Sequence, residues 1–195
     1  MIYRDRPLCY GISMKIALLG SIPKGDDIRT NWTDWKEEYK QVIRKAMPKA
    51  QFVDGDTVSD NAGPEMVVGH DLAMIKQADI CIVDAQSKIG AGTAQEIVFA
   101  KHLRKPVVIV IPKDTHHRKT NAAFHGVTVE DWIHPFLYVS SDYVAESPED
   151  AARWILDFNT DGGVSQVKDF SVFEQAIEHY EDSKHSHAPH QGQER

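Results

Sequence analysis

Apolar positions along the chain follow two periodicities that take turns. Unbroken apolar runs at Lys15-Ile16-Ala17-Leu18-Leu19-Gly20, Ile80-Cys81-Ile82-Val83-Asp84 and Pro106-Val107-Val108-Ile109-Val110-Ile111 predict strands. A run with no polar alternation belongs to a parallel strand covered on both faces, because a strand with one wet face alternates instead. Gln51-Phe52-Val53 is a shorter strand running into Asp54-Gly55-Asp56, and Phe136-Leu137-Tyr138-Val139 reads as a fifth. Between these runs the spacing becomes helical. Asn31 to Met47 puts Trp32, Trp35, Tyr39, Val42, Ile43 and Met47 on one stripe, and Pro48 ends it. Pro64 sits in the first turn of a helix carried through Met66, Val67, Leu72, Met74 and Ile75, where a missing N–H costs nothing. Thr93 to Arg104, Pro148 to Phe158 and Asp169 to Tyr180 are the remaining helices, the last reached through Asp161-Gly162-Gly163.

Strands alternating with helices predict an α/β fold wound on both faces of a parallel sheet. Residues 15–182 read as one domain with no internal repeat. Residues 1–14 form an arm before the first strand, and residues 183–195, polar with three histidines and no apolar anchor, read as a disordered tail.

The chain has 195 residues, enough for a core that needs no staples. Its 22 Lys+Arg against 29 Asp+Glu make it acidic, which argues against a nucleic-acid backbone as partner. Cys9 and Cys81 are far apart, and Cys81 falls inside a buried strand. A disulfide framework or zinc site is therefore not expected, and a reducing cytoplasm is. No apolar run approaches the roughly eighteen residues of a membrane span, so no membrane partner is expected.

The chemistry gathers at the carboxyl ends of the first three strands, where open α/β sheets bind ligands. Gly20 and Ser21 open a turn through Ile22, Lys24 and Gly25 to Arg29, whose backbone amides can hold hydroxyl or phosphate oxygens. It lacks the Gly-Lys-Ser/Thr ending of a phosphate-binding loop and the full dinucleotide fingerprint. Asp71 lies on the helix before the third strand, beside its apolar stripe; a solvated face is the ordinary fate of such an acid. Glu96 follows Gly90 and Gly92 in the first turn of the next predicted helix, where the helix dipole favours the ionised carboxylate and hence a nucleophile. The same Thr93-Ala94-Gln95-Glu96 also spells a capping box, which satisfies two backbone amides and does no chemistry. Two carboxylates at one cleft suit a sugar site, one attacking the anomeric carbon while the other holds hydroxyls or manages a proton.

Gly20 to Gly25 with Arg29-Thr30, His70-Asp71-Leu72, Ala78-Asp79, Gly92-Thr93-Ala94-Gln95-Glu96 and Lys105-Pro106-Val107 together resemble the nucleoside 2-deoxyribosyltransferase superfamily, which includes the 2'-deoxynucleoside 5'-phosphate N-hydrolases. The resemblance runs in order from Lys15 to Pro112. It implies a flavodoxin-like three-layer fold with a five-stranded parallel sheet, no cofactor and no metal. It further implies that Glu96 attacks C1' of the deoxyribose, that a covalent glycosyl-enzyme forms and is resolved with retention, and that Asp71 contacts the sugar. Gly20, Ser21, Ile22, Gly25, Asp84, Gly90, Gly92 and Asn121 are the expected substrate contacts. The partners the resemblance implies are a nucleoside or deoxynucleoside monophosphate, a nucleobase, and further copies of the chain in a homo-oligomer with shared sites. The polar loop from Lys113 to Gly126, with Asn121, Phe124 and His125, is the segment expected to reach a neighbour.

Two branches differ at two positions of this motif. The hydrolase pattern resembles Ser-x-Gly-x-Gly-x-Glu, its serine gripping a 5'-phosphate; here Gly90 stands at the serine and Ala94 at the second glycine, which is the transferase-like spelling. Ser87 is an alternative phosphate contact if the loop is one residue longer, and the Gly20 to Thr30 turn is spelled more like the hydrolases. Transfer of deoxyribose between nucleobases is the leading expectation, with monophosphate hydrolysis and a non-catalytic nucleotide-binding module as alternatives. Asp84 sits where a receiver domain would carry its phospho-acceptor, but such a domain needs an acidic pair after strand one, where this chain has Gly20-Ser21. His116-His117 reads as a solvated pair in a polar loop.

Overall fold

The computed structural model describes residues 13–54, 60–160 and 167–186. Most of the arm, the Gly55-Asp56 and Asp161-Gly162-Gly163 turns and the last nine residues of the tail lie outside the described residues.

Five parallel strands form one sheet: β1 (Lys15–Gly20), β2 (Gln51–Asp54), β3 (Ile80–Asp84), β4 (Val107–Val110) and, after a hairpin of β5 (Arg118–Phe124) and β6 (Val127–Ile133), the short β7 (Tyr143–Ala145). The order β2-β1-β3-β4-β7 is that of a flavodoxin-like sheet, with the hairpin inserted before the last strand. Helices α1 (Asp26–Arg29), α2 (Trp35–Ala46), α3 (Pro64–Gln77), α4 (Ala91–His102), α5 (Pro135–Ser140), α6 (Pro148–Thr160) and α7 (Ser171–Ser186) complete the chain order.

The period of two along each strand divides the core into two halves. Ile16, Leu18, Ile80, Ile82, Val108 and Val110 pack against Tyr39 and Ile43 of α2 and Ala151, Ala152 and Ile155 of α6. Ala17, Leu19, Cys81, Val83, Val107 and Ile109 face Met74 and Ile75 of α3, Ile97 and Ala100 of α4, and Leu137 of α5. Central strand β3 is buried along its whole length, as its unbroken apolar character predicts. The main cleft lies on the α3–α4 half.

Several elements differ from the sequence reading. Phe136 to Val139 is not a strand but the middle of α5: Pro135 takes the first helical position, Leu137 and Ser140 point inward three residues apart, and Phe136 and Tyr138 remain exposed. A four-residue apolar run suits either element, and here the proline decides. The second half of the expected loop from Lys113 to Gly126 forms β5, which turns into β6 through His125 and Gly126 at φ 49° and 86°. Two positive φ values are what a two-residue type I′ hairpin turn requires. Arg118 pins the hairpin to the sheet: its buried guanidinium donates to Asp131 at 2.7 and 2.8 Å, to Glu146 at 3.1 Å and to the Ile111 carbonyl at 3.2 Å. Helix α2 starts at Trp35 because the Asp34 side chain accepts the Lys36 N–H, leaving Trp32 outside it. The last helix continues to Ser186, past the expected start of the tail.

Candidate active site

Helix α4 begins at Ala91, with Gly90 as its N-cap and no side chain capping it. Thr93 is therefore inside the helix and buried, and the capping box it would form with Glu96 does not exist. Glu96 consequently lies in the second turn rather than the first, so the end of the helix dipole is not what governs its charge. Its carboxyl group is shifted the opposite way from the sequence expectation. Burial first, and the neighbouring Asp71 carboxylate after it, push it up from 4.5 to about 7 against the downward pull of Lys24.

Asp71, on α3, is the second acid. Its Oδ1 lies 3.1 Å from His70 Nδ1, and its side chain is partly exposed toward the cleft rather than toward bulk solvent alone. Two cavities meet at these acids. The larger, about 950 Å3, runs from Asp71, Gly90, Gly92 and Glu96 along α4 to His117, His134 and Phe136, beneath Phe170 and Phe173 at the start of α7. The smaller, about 290 Å3, lies over the end of β1 and is walled by Gly20, Ser21, Ile22 and Lys24. Asp71, Gly90, Gly92 and Glu96 belong to both walls. A cleft of this size is in the small-molecule range of about 300–1,000 Å3.

No family model and no curated protein matches the chain. Among solved structures it is similar to that of a CMP N-glycosidase, BcmB, from Clostridium botulinum, at 12% identity and a TM-score of 0.42, over 72% of this chain and 97% of that one.

The glycines of the cleft have different causes. A Cβ at Gly20 would sit 2.5 Å from Trp35 Cζ2, so this glycine makes room for the Trp35 ring, whose Nε1 donates to the Ser21 carbonyl at 3.2 Å. At Gly90 and Gly92 a Cβ would meet nothing within 4 Å, and Gly90 has an ordinary φ of −86°. Neither the fold nor the backbone demands glycine there; the open space belongs to the cleft. Ser21 donates its hydroxyl to the Lys88 carbonyl at 2.9 Å, tying the β1 turn to the loop before α4.

Three expected contacts are not brought to the cleft. Asp84 continues the Ile80 and Ile82 side of β3, and so faces α2, where Tyr39 donates to its Oδ1 at 2.8 Å and Gln86 at 3.0 Å. Asn121 is exposed on the hairpin at φ 51°, outside both cavities, and Gly25, at φ 99°, lines neither. Ser87 is exposed and also lies off both walls.

His117 is the residue the sequence reading misplaced. Rather than being solvated, it is 6% exposed and lines the larger cavity; only His116 is exposed as expected. His134 and Phe136, at the start of α5, and Phe170, just before α7, join the same wall from two other elements. Among the described residues no group of three His, Cys, Asp or Glu side chains is arranged to hold a metal ion, and no helix is long and apolar enough to cross a membrane.

Proposed function

We propose that the protein cleaves the N-glycosidic bond of a 2'-deoxynucleoside and transfers the deoxyribose to another nucleobase, with Glu96 as nucleophile and Asp71 holding the sugar. The observation that carries this reading is the convergence of Asp71 and Glu96, from two different helices, on the wall shared by a small cavity and a larger, mainly apolar one. The small cavity suits the sugar and the large one the base. In the first step the Glu96 carboxylate forms a bond to C1' while the C1'–N bond breaks and its electron pair leaves with the base, which takes up a proton. In the second, a new base or water attacks C1' and releases Glu96, so that two inversions give retention. A Glu96 poised near 7 is a usable leaving group as well as a nucleophile, because neither its neutral nor its charged form is strongly favoured.

A specific observation favours the hydrolase alternative. Lys24 lines the sugar-side cavity beside Ser21, and its charge is felt at Glu96, so a cation stands where a 5'-phosphate would lie. The two branches, and the non-catalytic module, separate in one experiment. The protein is incubated with deoxyinosine or thymidine, or their 5'-monophosphates, with and without adenine, and free base and new nucleoside are followed. Base exchange identifies the transferase, base release from monophosphates alone the hydrolase, and binding without turnover the module.

The active form is proposed to be a homo-oligomer. The hairpin exposes Phe124, Val127 and Val129 together, and an isolated two-stranded ribbon is marginal in water, so a neighbouring copy is the natural cover.

A further inference from the structure

The β5–β6 hairpin closes at its base, where the backbone N–H of His134 donates to the His117 carbonyl at 2.9 Å. This bond holds the two rings edge to face, their centroids 5.7 Å apart, on the wall of the larger cavity. His117 Nε2 accepts the backbone N–H of Ile89 at 3.1 Å. A ring nitrogen that accepts carries no hydrogen, so the proton of the neutral ring sits on Nδ1. That Nδ1–H donor has no partner among the described residues, and neither has Nδ1 of His134, although both atoms are buried. Buried polar atoms are almost always satisfied, and two orphans on one cavity wall call for an explanation. The chemistry of Asp71 and Glu96 uses neither ring.

We propose that His117 and His134 receive the planar heterocycle of the substrate, with His117 Nδ1–H donating to a ring nitrogen or carbonyl oxygen of that heterocycle. Its identification as a nucleobase rests on the N-glycosidic reading above. The wall here is made of flat or apolar groups, Ile89, Phe136 and Leu137 beside the two histidines, which suits an aromatic ring. Among the described lining residues the only carboxylates are Asp71 and Glu96, and the orphaned Nδ1–H of His117 is a donor, so it pairs with an acceptor on the base. The ring stays uncharged near neutral pH, with Nε2 left as an acceptor: burial first, and then the charges of His116, His134 and Lys88, push His117 down to about 4. A neutral imidazole N–H directed at a departing base also stabilises the negative charge that develops on it, as neutral histidines do at other developing anions.

The test is the affinity of the wild-type protein, His117→Phe and His117→Asn for adenine, hypoxanthine, cytosine and thymine, measured by titration calorimetry. At least one base should bind the wild type saturably, His117→Phe should weaken it by about tenfold or more, and His117→Asn, which keeps an amide N–H near the Nδ1 position, should stay within about threefold. The histidine ring nitrogen resonances of the wild type, followed during the same titration, should show a shift of the His117 Nδ1–H signal, and this readout stands even if His117→Phe does not fold. Absence of base binding, equal binding by His117→Phe, or an unmoved His117 signal overturns the proposal. Base binding that depends on His117 in a protein that cleaves no nucleoside would uphold this seat and sink the enzymatic reading; cleavage with an unchanged KM in His117→Phe would do the reverse.

Discussion

Asp71 on α3 and Glu96 on α4 are coupled across the cleft: burial first, and the Asp71 charge with it, lift the Glu96 carboxyl group to about 7. The coupling gives a pH dependence with a definite sign. If Glu96 works as a nucleophile it must be ionised, so kcat/KM for a 2'-deoxynucleoside should rise with pH and level off above about 7. Asp71→Asn removes one of the two causes and should move that midpoint to lower pH, besides lowering turnover. A rate that falls as pH rises through 7 would make Glu96 a general acid instead.

The same shift bears on stability. A carboxyl group whose folded value is raised from 4.5 to about 7 contributes stability below pH 4.5 that is lost as the pH rises through 7, because the folded state resists ionisation. Glu96→Gln keeps the shape without the charge. It should be more stable than the wild type at pH 8 by about 1–3 kcal/mol, the shift being discounted for partial exposure, and the difference should vanish near pH 4. Denaturant melts at the two pH values check this, and a destabilised variant at pH 8 would contradict it.

Gly90→Ser places a hydroxyl where the hydrolase pattern has one, at a site with an ordinary φ and open space for the Cβ. Stability should change by less than about 0.5 kcal/mol. The ratio of kcat/KM for a 5'-monophosphate to that for its nucleoside should rise by about tenfold, one added charge-assisted hydrogen bond's worth. Gly20→Ala, by contrast, drives a Cβ into the Trp35 ring and should cost about 1–3 kcal/mol. Equal thermal stability of the two variants would show that Gly20 is not a packing glycine.

Replacing Val127 and Val129 with lysine should dissociate the proposed oligomer with little loss of monomer stability, since both side chains are exposed. Light scattering on wild type and variant decides this. A wild-type protein that is monomeric and fully active rules the assembly out.

The parts of the fold legible in the sequence are those buried on both sides. Ile80 to Asp84 and Val107 to Val110 are apolar without alternation because helices cover both faces. Legibility fails where exposure removes the pattern. Strand β6 is exposed along most of its length, so no alternation marks it, and its turn uses His125-Gly126 in place of the asparagine-glycine pair that would announce a hairpin. Motif and position both point to Glu96 and Asp71, and the structure puts both on the cleft wall, but the start of α4 is hidden: Gly90 caps it without a side-chain bond, leaving Thr93 as the more visible, wrong cap. His117 had no readable signal, since a backbone bond between the two ends of the hairpin brings it to the cavity.

Free-base release from a 2'-deoxynucleoside by the wild type and by Glu96→Ala, measured on proteins shown to be equally folded, tests the central claim most directly. Because Glu96 caps nothing, its removal should leave the fold intact. The account predicts release by the wild type and a loss of about 10³-fold or more in the variant, as expected when a nucleophile is removed. A variant within tenfold of the wild type, or a wild type that releases no base from any nucleoside or monophosphate offered, would contradict it.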